Sequence, residues 1–176
     1  MKRFFRSLAA VMVAVVIVFG YVPAIEVHAD DRSGESRVSI ATSGGHWAKL
    51  VDGDLWLWGL NIFGQIGDGS TSIRHYDPVH VMENVTAISL GLGHTMAIGI
   101  DGSLWAWGSN YHGQLGDGTT IDRHKPVRIM ENVTAVSAGP RYTMAIRSDG
   151  SLWAWVLMGS GNLVMALPLP VQSLCK

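Results

Sequence analysis

The chain is poor in residues that several classes of protein require. It has one cysteine, Cys175, so no internal disulfide can form, and packing and hydrogen bonds must hold the chain together. Its 13 Lys and Arg residues stand against 14 Asp and Glu residues, and no basic patch stands out. This balance argues against nucleic-acid binding by phosphate neutralisation.

Signatures of catalysis and of ligand binding are missing as well. The sequence contains no Gly-x-Ser-x-Gly nucleophile elbow, and its glycine-rich loops lack the Lys-Ser/Thr of a phosphate-binding loop. The seven histidines show no spacing that is typical of a metal site. We therefore predict that the protein is not an enzyme and has no cofactor and no metal.

Residues 1–29 have the pattern of a secretory signal peptide. Three basic residues lie within the first six, an apolar run extends from Leu8 to Gly20, and small residues stand at Val27 and Ala29. Cleavage after Ala29 would release a secreted or cell-surface protein without a membrane segment, which begins with a polar linker over residues 30–43. An uncleaved membrane anchor is the alternative, although the apolar stretch is short for a membrane span.

The chain is rich in repetition. The stretch Asp-Gly-x-Leu-Trp-x-Trp begins at Asp52, Asp101 and Asp149, at intervals of 49 and 48 residues. A second marker, Met-Glu-Asn-Val-Thr-Ala, begins at Met82 and Met130, again 48 residues apart. A period of this size predicts one supersecondary unit per repeat, within a repeat region over residues 44–155. The structural repeat positions are the Asp-Gly and Trp-Gly pairs: Asp52, Gly53, Trp58, Gly59, Asp101, Gly102, Trp107, Gly108, Asp149 and Gly150.

Each repeat contains four short strand-like runs, which in the most complete copy are Pro126–Met130, Val133–Ala138, Thr143–Ile146 and Leu152–Trp155. An Asp-Gly pair predicts a tight hairpin between the last two. The last run is apolar on both faces, so its sheet must be covered on both sides. The prediction is an all-β fold: a partial β-propeller of about two to three four-stranded antiparallel blades, preceded by a signal-peptide helix.

Four features of the repeat are specific in combination. They are the Asp-Gly turn, the pair Trp107-Gly108, the Gly-Gln-Leu-Gly loop at Gly113–Gly116, and His94-Thr95. With them the stretch from Val38 to Trp155 resembles the regulator of chromosome condensation repeat. The resemblance implies a ring of about seven blades that binds other proteins. Its members include an exchange factor for a small GTPase, a plant ultraviolet receptor and a secreted bacterial inhibitor of β-lactamases, so the fold alone does not select a function.

The sequence departs from that family in three ways. It has too few repeats for a ring, and His94 of the second repeat aligns with Tyr142 in the third. After Trp155 the expected glycine is Val156, and the divergent tail, residues 156–176, lacks the glycine loop. A truncated or frameshifted gene is the first explanation, and a natural short form that assembles with other copies is the second.

We predict a non-catalytic protein-binding module of the bacterial secreted or cell-surface type. The alternatives are a structural blade array that completes a larger oligomeric propeller and a truncated gene product without independent function. Its partner would be a protein, another copy of the chain or other propeller blades. Loop segments that differ between the repeats are candidates for the recognition surface, because the fold does not dictate them, and aromatic and Arg residues on loops are typical binding anchors. The candidates are Phe63, Tyr76, Tyr111, His112 and Arg123.

Overall fold

The computed structural model describes residues 37–158, 162–164 and 169–170, with side chains up to residue 155. The predicted signal peptide and its helix lie outside the described residues. Every regular element within them is a β-strand. The strands are β1 (Val38–Ser43), β2 (His46–Val51), β3 (Asp54–Leu60), β4 (Arg74–Met82), β5 (Val85–Leu90), β6 (His94–Gly99), β7 (Leu104–Gly108), β8 (Arg123–Met130), β9 (Val133–Ala138), β10 (Tyr142–Arg147), β11 (Ser151–Met158), β12 (Asn162–Val164) and β13 (Leu169–Pro170).

These strands form three antiparallel sheets in which consecutive strands are neighbours. Blade 1 has the order β1-β2-β3-β4 and blade 2 the order β5-β6-β7-β8. Blade 3 has the order β9-β10-β11-β12, and β13 also pairs with β11. Four-stranded meanders that pack face to face are propeller blades, so the predicted all-β partial propeller is confirmed. No helix that could span a membrane occurs among the residues that the structure describes.

The boundary between blades differs from the predicted grouping of strands. The run Pro126–Met130 was expected to belong with the three runs that follow it. It is instead part of β8, which pairs with β7 as the outer strand of blade 2. A sequence period gives the length of the unit but does not show where one sheet ends. The chain passes to blade 3 at Asn132, which has a positive φ of 60°.

Tryptophan-bearing strands bring the blades together. In β7, Trp107 faces blade 1 while Leu104 and Ala106 face blade 3, and all three side chains are fully buried. One apolar cluster therefore lies between blades 1 and 2, and a second lies between blades 2 and 3. The central strands of blade 2 are therefore covered on both faces. Strand β11, for which the sequence predicted the same, is covered by blade 2 on its tryptophan face, while Leu152 and Ala154 on its other face stay half-buried. For orientation, the face of a blade that carries these tryptophans is called the front, and the opposite face is called the back.

The two ends of the predicted repeat region differ in structure from the sequence expectation. Residues 38–43, within the predicted linker, form β1 and pair with β2. The divergent tail also continues the third sheet, because β11 extends to Met158 and pairs there with β12. The sheet thus goes on where the repeat pattern breaks after Trp155. Only residues 159–161 connect β11 to β12, whereas residues 61–73 and 109–122 make the corresponding connections in blades 1 and 2.

The packing of the blades predicts different costs for the same substitution in two repeats. Leu104→Ala should lower the free energy of unfolding by about 2–5 kcal/mol, because it opens a cavity between blades 2 and 3. Leu152→Ala, at the equivalent half-buried position of blade 3, should cost less. Urea denaturation of the two variants measures both values. An equal loss at Leu152 would contradict an uncovered back face of blade 3.

Candidate functional site

The strand connections alternate between two ends of the blade array. The loop end carries the long connections and the tight turns next to them: residues 44–45, 61–73, 91–93, 109–122 and 139–141. The hairpin end carries the Asp-Gly turns and the passages between blades: residues 52–53, 83–84, 100–103, 131–132 and 148–150. Residues 61–73 are called loop 1, and residues 109–122 are called loop 2.

Two buried amide side chains give loop 1 its shape. The Asn61 side-chain oxygen accepts a hydrogen bond from the Ile66 backbone N–H at 3.0 Å. The Gln65 side-chain oxygen accepts one from the Phe63 backbone N–H at 2.9 Å. A buried amide oxygen is strongly favoured to accept a hydrogen bond, so these two oxygens act as fixed templates for the loop backbone. They hold the backbone of Phe63 in one position.

The same two templates recur in loop 2. The Asn110 side-chain oxygen accepts from the Leu115 backbone N–H at 3.0 Å. The Gln114 side-chain oxygen accepts from the His112 backbone N–H at 2.9 Å. Loops 1 and 2 therefore share one backbone plan, and they differ in the side chains that this plan presents at the tip.

Loop 1 is docked onto blade 2 through the carbonyl oxygen of Gln65. This oxygen accepts hydrogen bonds from the Trp107 indole N–H at 3.0 Å and from the Thr95 hydroxyl at 2.9 Å. Gly67 allows the close approach, since a Cβ there would lie 2.6 Å from the Trp107 ring nitrogen. Gly116 of loop 2 has the same relation to the Trp155 ring. Gly67 and Gly116 thus allow the loop of one blade to pack closely against the tryptophan of the next.

A buried histidine extends this contact across each blade boundary. His46 Nε2 lies 3.2 Å from the Thr95 hydroxyl oxygen, and His94 Nε2 lies 3.0 Å from that of Thr143. Because the Thr95 hydroxyl donates its own proton to Gln65, His46 Nε2 must be the donor to Thr95. The relay runs from imidazole to hydroxyl to loop carbonyl. In the third repeat the histidine position is occupied by Tyr142, which is exposed.

Burial keeps both histidines uncharged. Desolvation lowers the pKa of His46 to about 4. Desolvation, together with the nearby His46, lowers the pKa of His94 to about 3. Neutral imidazoles are what the relay requires, and they are poor candidates for acid-base catalysis at neutral pH.

At the hairpin end the structure brings one possible metal-ligand set together. Among the described residues, Asp54, His80 and Glu83 are the only group of at least three whose donor atoms all lie within 4.8 Å of one another. In blade 2 the position of His80 is occupied by Arg128, which lies 3.6 Å from Asp101 and 3.3 Å from a Glu131 oxygen. An arginine cannot bind a metal, so blade 2 does not repeat this ligand set, and the feature that both blades share is a nitrogen-bearing side chain beside carboxylates. The absence of a metal site stays a prediction.

Three of the five predicted recognition residues, Phe63, Tyr111 and His112, lie in the two long loops at the loop end. Phe63 projects from loop 1 toward blade 2, close to Gly93, and remains exposed. Tyr111 of loop 2 is 75% exposed, and its ring contacts His112 edge-on with centroids 5.1 Å apart. Tyr76 is also exposed but lies on the outer strand β4, near the same end.

Arg123 has a different environment from the other four candidates. Its guanidinium lies 2.7 Å from the Asp117 carboxylate and also contacts the Thr119 hydroxyl. Although partial burial raises it, the pKa of Asp117 is held below its ordinary value by hydrogen bonds from Thr119 and Arg123. The arginine therefore stabilises the fold of loop 2, and its charge is already compensated.

Sequence reasoning missed several aliphatic residues at the loop end. Ile62 and Ile73 of loop 1, Leu92 of the β5–β6 turn and Ile121 of loop 2 are all exposed. Their signal in the sequence was an apolar residue inside a glycine-rich or polar connection, with Ile73 and Ile121 recurring just before an outer strand. Together with the exposed aromatics of the same connections, these residues make up a set that we call the loop-end patch: Ile62, Phe63, Ile73, Leu92, Tyr111 and Ile121.

The fold and the repeated docking contact define the class of protein as a β-propeller blade array. Models of the regulator of chromosome condensation (RCC1) repeat match residues 52–98 and 101–146, and a second model of that repeat matches residues 85–114. The chain belongs to the RCC1 repeat family. No curated protein sequence matches it.

Solved structures with a similar fold include human WBSCR16, at a TM-score of 0.67 and 21% identity over 79% of this chain and 41% of that one. Yeast RCC1 (Prp20), solved bound to Kap60, gives a TM-score of 0.58 and 24% identity over 69% and 30%. A further structure of Prp20p from Saccharomyces cerevisiae gives 0.56 and 23% over 69% and 31%. The chain thus spans less than half the length of these relatives, and the likeness concerns the fold.

The two neutral histidines predict a stability that falls in mild acid. The unfolded chain binds a proton on each imidazole near pH 6.5, whereas the folded chain does so only at about pH 4 for His46 and about pH 3 for His94. Their contribution is therefore complete above pH 6.5 and is lost as the pH falls, at up to about 1.4 kcal/mol per pH unit for each histidine. Asp117, with its pKa below 3.8, acts at lower pH.

Urea denaturation between pH 7 and pH 4 measures this dependence. The variant His94→Gln keeps an amide N–H that can donate to Thr143 but has no group that titrates. It should lose the His94 share of the slope while it retains a folded, cooperative transition. A slope equal to that of the unsubstituted chain would show that His94 is not the source.

Proposed function

We propose that the chain is a non-catalytic protein-binding module that acts outside the cell or at its surface, with the loop-end patch as its recognition surface. One observation carries the proposal: exposed apolar side chains concentrate at the loop end, whereas the hairpin end is lined by charged residues. Large exposed apolar side chains that lie together on a rigid frame are typical of interaction surfaces.

The frame beneath the patch is fixed before any partner arrives. Gln65 and Gln114 hold the backbone at the two loop tips, and Gln65 also anchors loop 1 to blade 2. A loop with a preset backbone loses little conformational entropy on binding, so the exposed rings of Phe63 and Tyr111 can serve as anchors. This is why the loop tips support recognition better than the flat outer strands.

The comparisons support protein binding as the general activity. Prp20 was solved bound to Kap60, and Prp20p is described by its binding properties to Gsp1p and histones. All of these partners are proteins, and at such low identity none of them is proposed as the partner of this chain. Action outside the cell rests on the predicted signal peptide over residues 1–29.

A structural blade array that completes a larger propeller is the second candidate. It is favoured by the back of blade 3, where Met144 is 38% exposed although its counterpart in blade 2, Met96, is fully buried. Such a face has the composition of an interface between blades.

The loop-end proposal predicts a selective loss of binding. Purified chain would be used to capture proteins from the culture medium and cell surface of its own organism, with quantitative mass spectrometry as the readout. Phe63→Ala and Tyr111→Ala should each reduce the specifically captured protein by about tenfold or more, as expected for central aromatic anchors.

Ile100 provides the matched control for that experiment. It is 75% exposed, like Tyr111, but lies at the hairpin end. Ile100→Ala should therefore capture the same proteins as the unsubstituted chain. Capture that survives both loop-end substitutions, or that is lost equally with Ile100→Ala, would refute the loop-end patch as the recognition surface.

A further inference from the structure

The blade array has two outer faces that no other blade covers. Within the array, the front of each following blade packs against the back of the blade before it. The front of blade 1 and the back of blade 3 have no such cover among the described residues. Since the inner faces show what a covered face looks like in this chain, each outer face can be compared with its own buried counterpart.

The back of blade 3 has the composition of a covered face. The back of blade 2 presents four apolar side chains that are at most 3% exposed: Met96, Ile98, Leu104 and Ala106. Blade 3 has the same four residue types at the equivalent positions: Met144, Ile146, Leu152 and Ala154. There they are exposed or half-buried. None of these four side chains has been replaced by a polar one, so this part of the face fits the front of a further blade.

The front of blade 1 differs from a covered face at its centre. Ala97 and Ala145 occupy this position in blades 2 and 3 and are buried between blades. In blade 1 the position is Lys49, which is exposed. Covering this face with another blade would bury an ammonium group against apolar side chains, which is strongly unfavourable without a partner charge.

A second departure on the same face removes the hydrogen-bond relay. Thr95 and Thr143 receive the histidine of the preceding blade, but the equivalent residue in blade 1 is Trp47, which has no acceptor for that proton. The Trp47 ring stacks on Trp58 with centroids 6.4 Å apart and an interplanar angle of 20°. The tryptophan therefore covers the ring that, in the other blades, is covered by the loop of a preceding blade.

The glycine that follows Trp58 shows how closely Trp47 replaces that loop. A Cβ at Gly59 would lie 2.6 Å from the Trp47 ring. At the equivalent Gly108, a Cβ would lie 3.1 Å from the Cα of Gln65, which belongs to loop 1 of the preceding blade. The indole thus fills the space that a docking loop would need.

We propose that the array is directional: the front of blade 1 is a built-in cap, and the back of blade 3 is a docking surface for the front of a further RCC1-type blade that differs from blade 1. The occupant follows from continuity with the two internal interfaces, since the back of blade 3 repeats the four apolar sheet residues of the back of blade 2. The front of the partner blade carries threonine at the position of Trp47 and alanine at the position of Lys49. The cap excludes a second copy of this chain from that role.

Tyr142 equips the docking surface for the same polar contact. Its ring lies against Gly139 as the His94 ring lies against Gly91. A phenol hydroxyl can donate to a threonine hydroxyl, as the imidazole Nε2–H does inside the array. The partner blade that fits this surface therefore has an apolar front face and carries a threonine at the position opposite Tyr142. This inference does not rest on the loop-end patch, and substitutions there leave it untouched.

Two complementary full-length chains test the proposal. The unsubstituted chain offers only the back of blade 3. The triple variant Trp47→Thr, Lys49→Ala and Met144→Glu offers a consensus front on blade 1 and a blocked back on blade 3. Sedimentation velocity of each chain alone should show no association through these faces, whereas an equimolar mixture should form a complex of two chains.

The controls separate docking from general stickiness. A control variant carries Met144→Glu together with Trp47→Phe and Lys49→Arg, so that an aromatic ring and a positive charge remain on the front of blade 1. It should bind the unsubstituted chain at least about tenfold more weakly than the triple variant does. Circular dichroism and urea denaturation verify that every variant is folded. Folded partners that fail to form the complex would overturn the proposal. So would a dimer of the unsubstituted chain that Met144→Glu abolishes, because it would show that the back of blade 3 binds its own kind.

Discussion

The relay from histidine to threonine to a loop carbonyl is the contact on which the arrangement of the blades depends. Apolar packing between sheets is strong but non-directional, so it would tolerate sliding of one blade over the next. His46, Thr95 and the Gln65 carbonyl form a buried chain in which each group needs the other two. Because these hydrogen bonds can form in only one geometry, the relay fixes the position of blade 2 relative to blade 1.

The same relay links the stability of the array to its surface. The carbonyl at its end belongs to loop 1, and the Gln65 side chain holds the backbone of Phe63 two residues away. The exposed ring is therefore placed by the contact that also joins the blades. A recognition surface of this kind needs no ordering on binding, and evolution can change its tip residues without disturbing the frame, as the change from Phe63 to His112 between the two loops illustrates.

Local signals in the sequence predicted the fold well. Features that depend on contacts between residues distant in the sequence could not be predicted from it. The period, the Asp-Gly turns and the alternation around Trp107 define blades because they act over a few residues. The assignment of β8 to blade 2 depends on pairing with β7, across a long loop that no local rule describes. Arg123 was proposed for recognition because it lies in a variable loop segment, but its partner Asp117 is apparent only once the loop is folded. The aliphatic residues of the loop-end patch were overlooked because exposure cannot be read from residue type.

A repeat protein provides its own reference, and this makes its departures informative. Where the residue is buried in blades 2 and 3, a lysine at the equivalent position of blade 1 shows that this face of blade 1 is exposed to water. Lys49 and Trp47 depart together on one face of blade 1, while the back of blade 3 keeps all four consensus side chains. Blade 3 departs from the repeat at Tyr142 and after Trp155, but the apolar side chains of its sheet face are unchanged. The two outer faces therefore differ in kind: the front of blade 1 carries a charge that opposes a further blade, whereas the back of blade 3 retains apolar side chains suited to one.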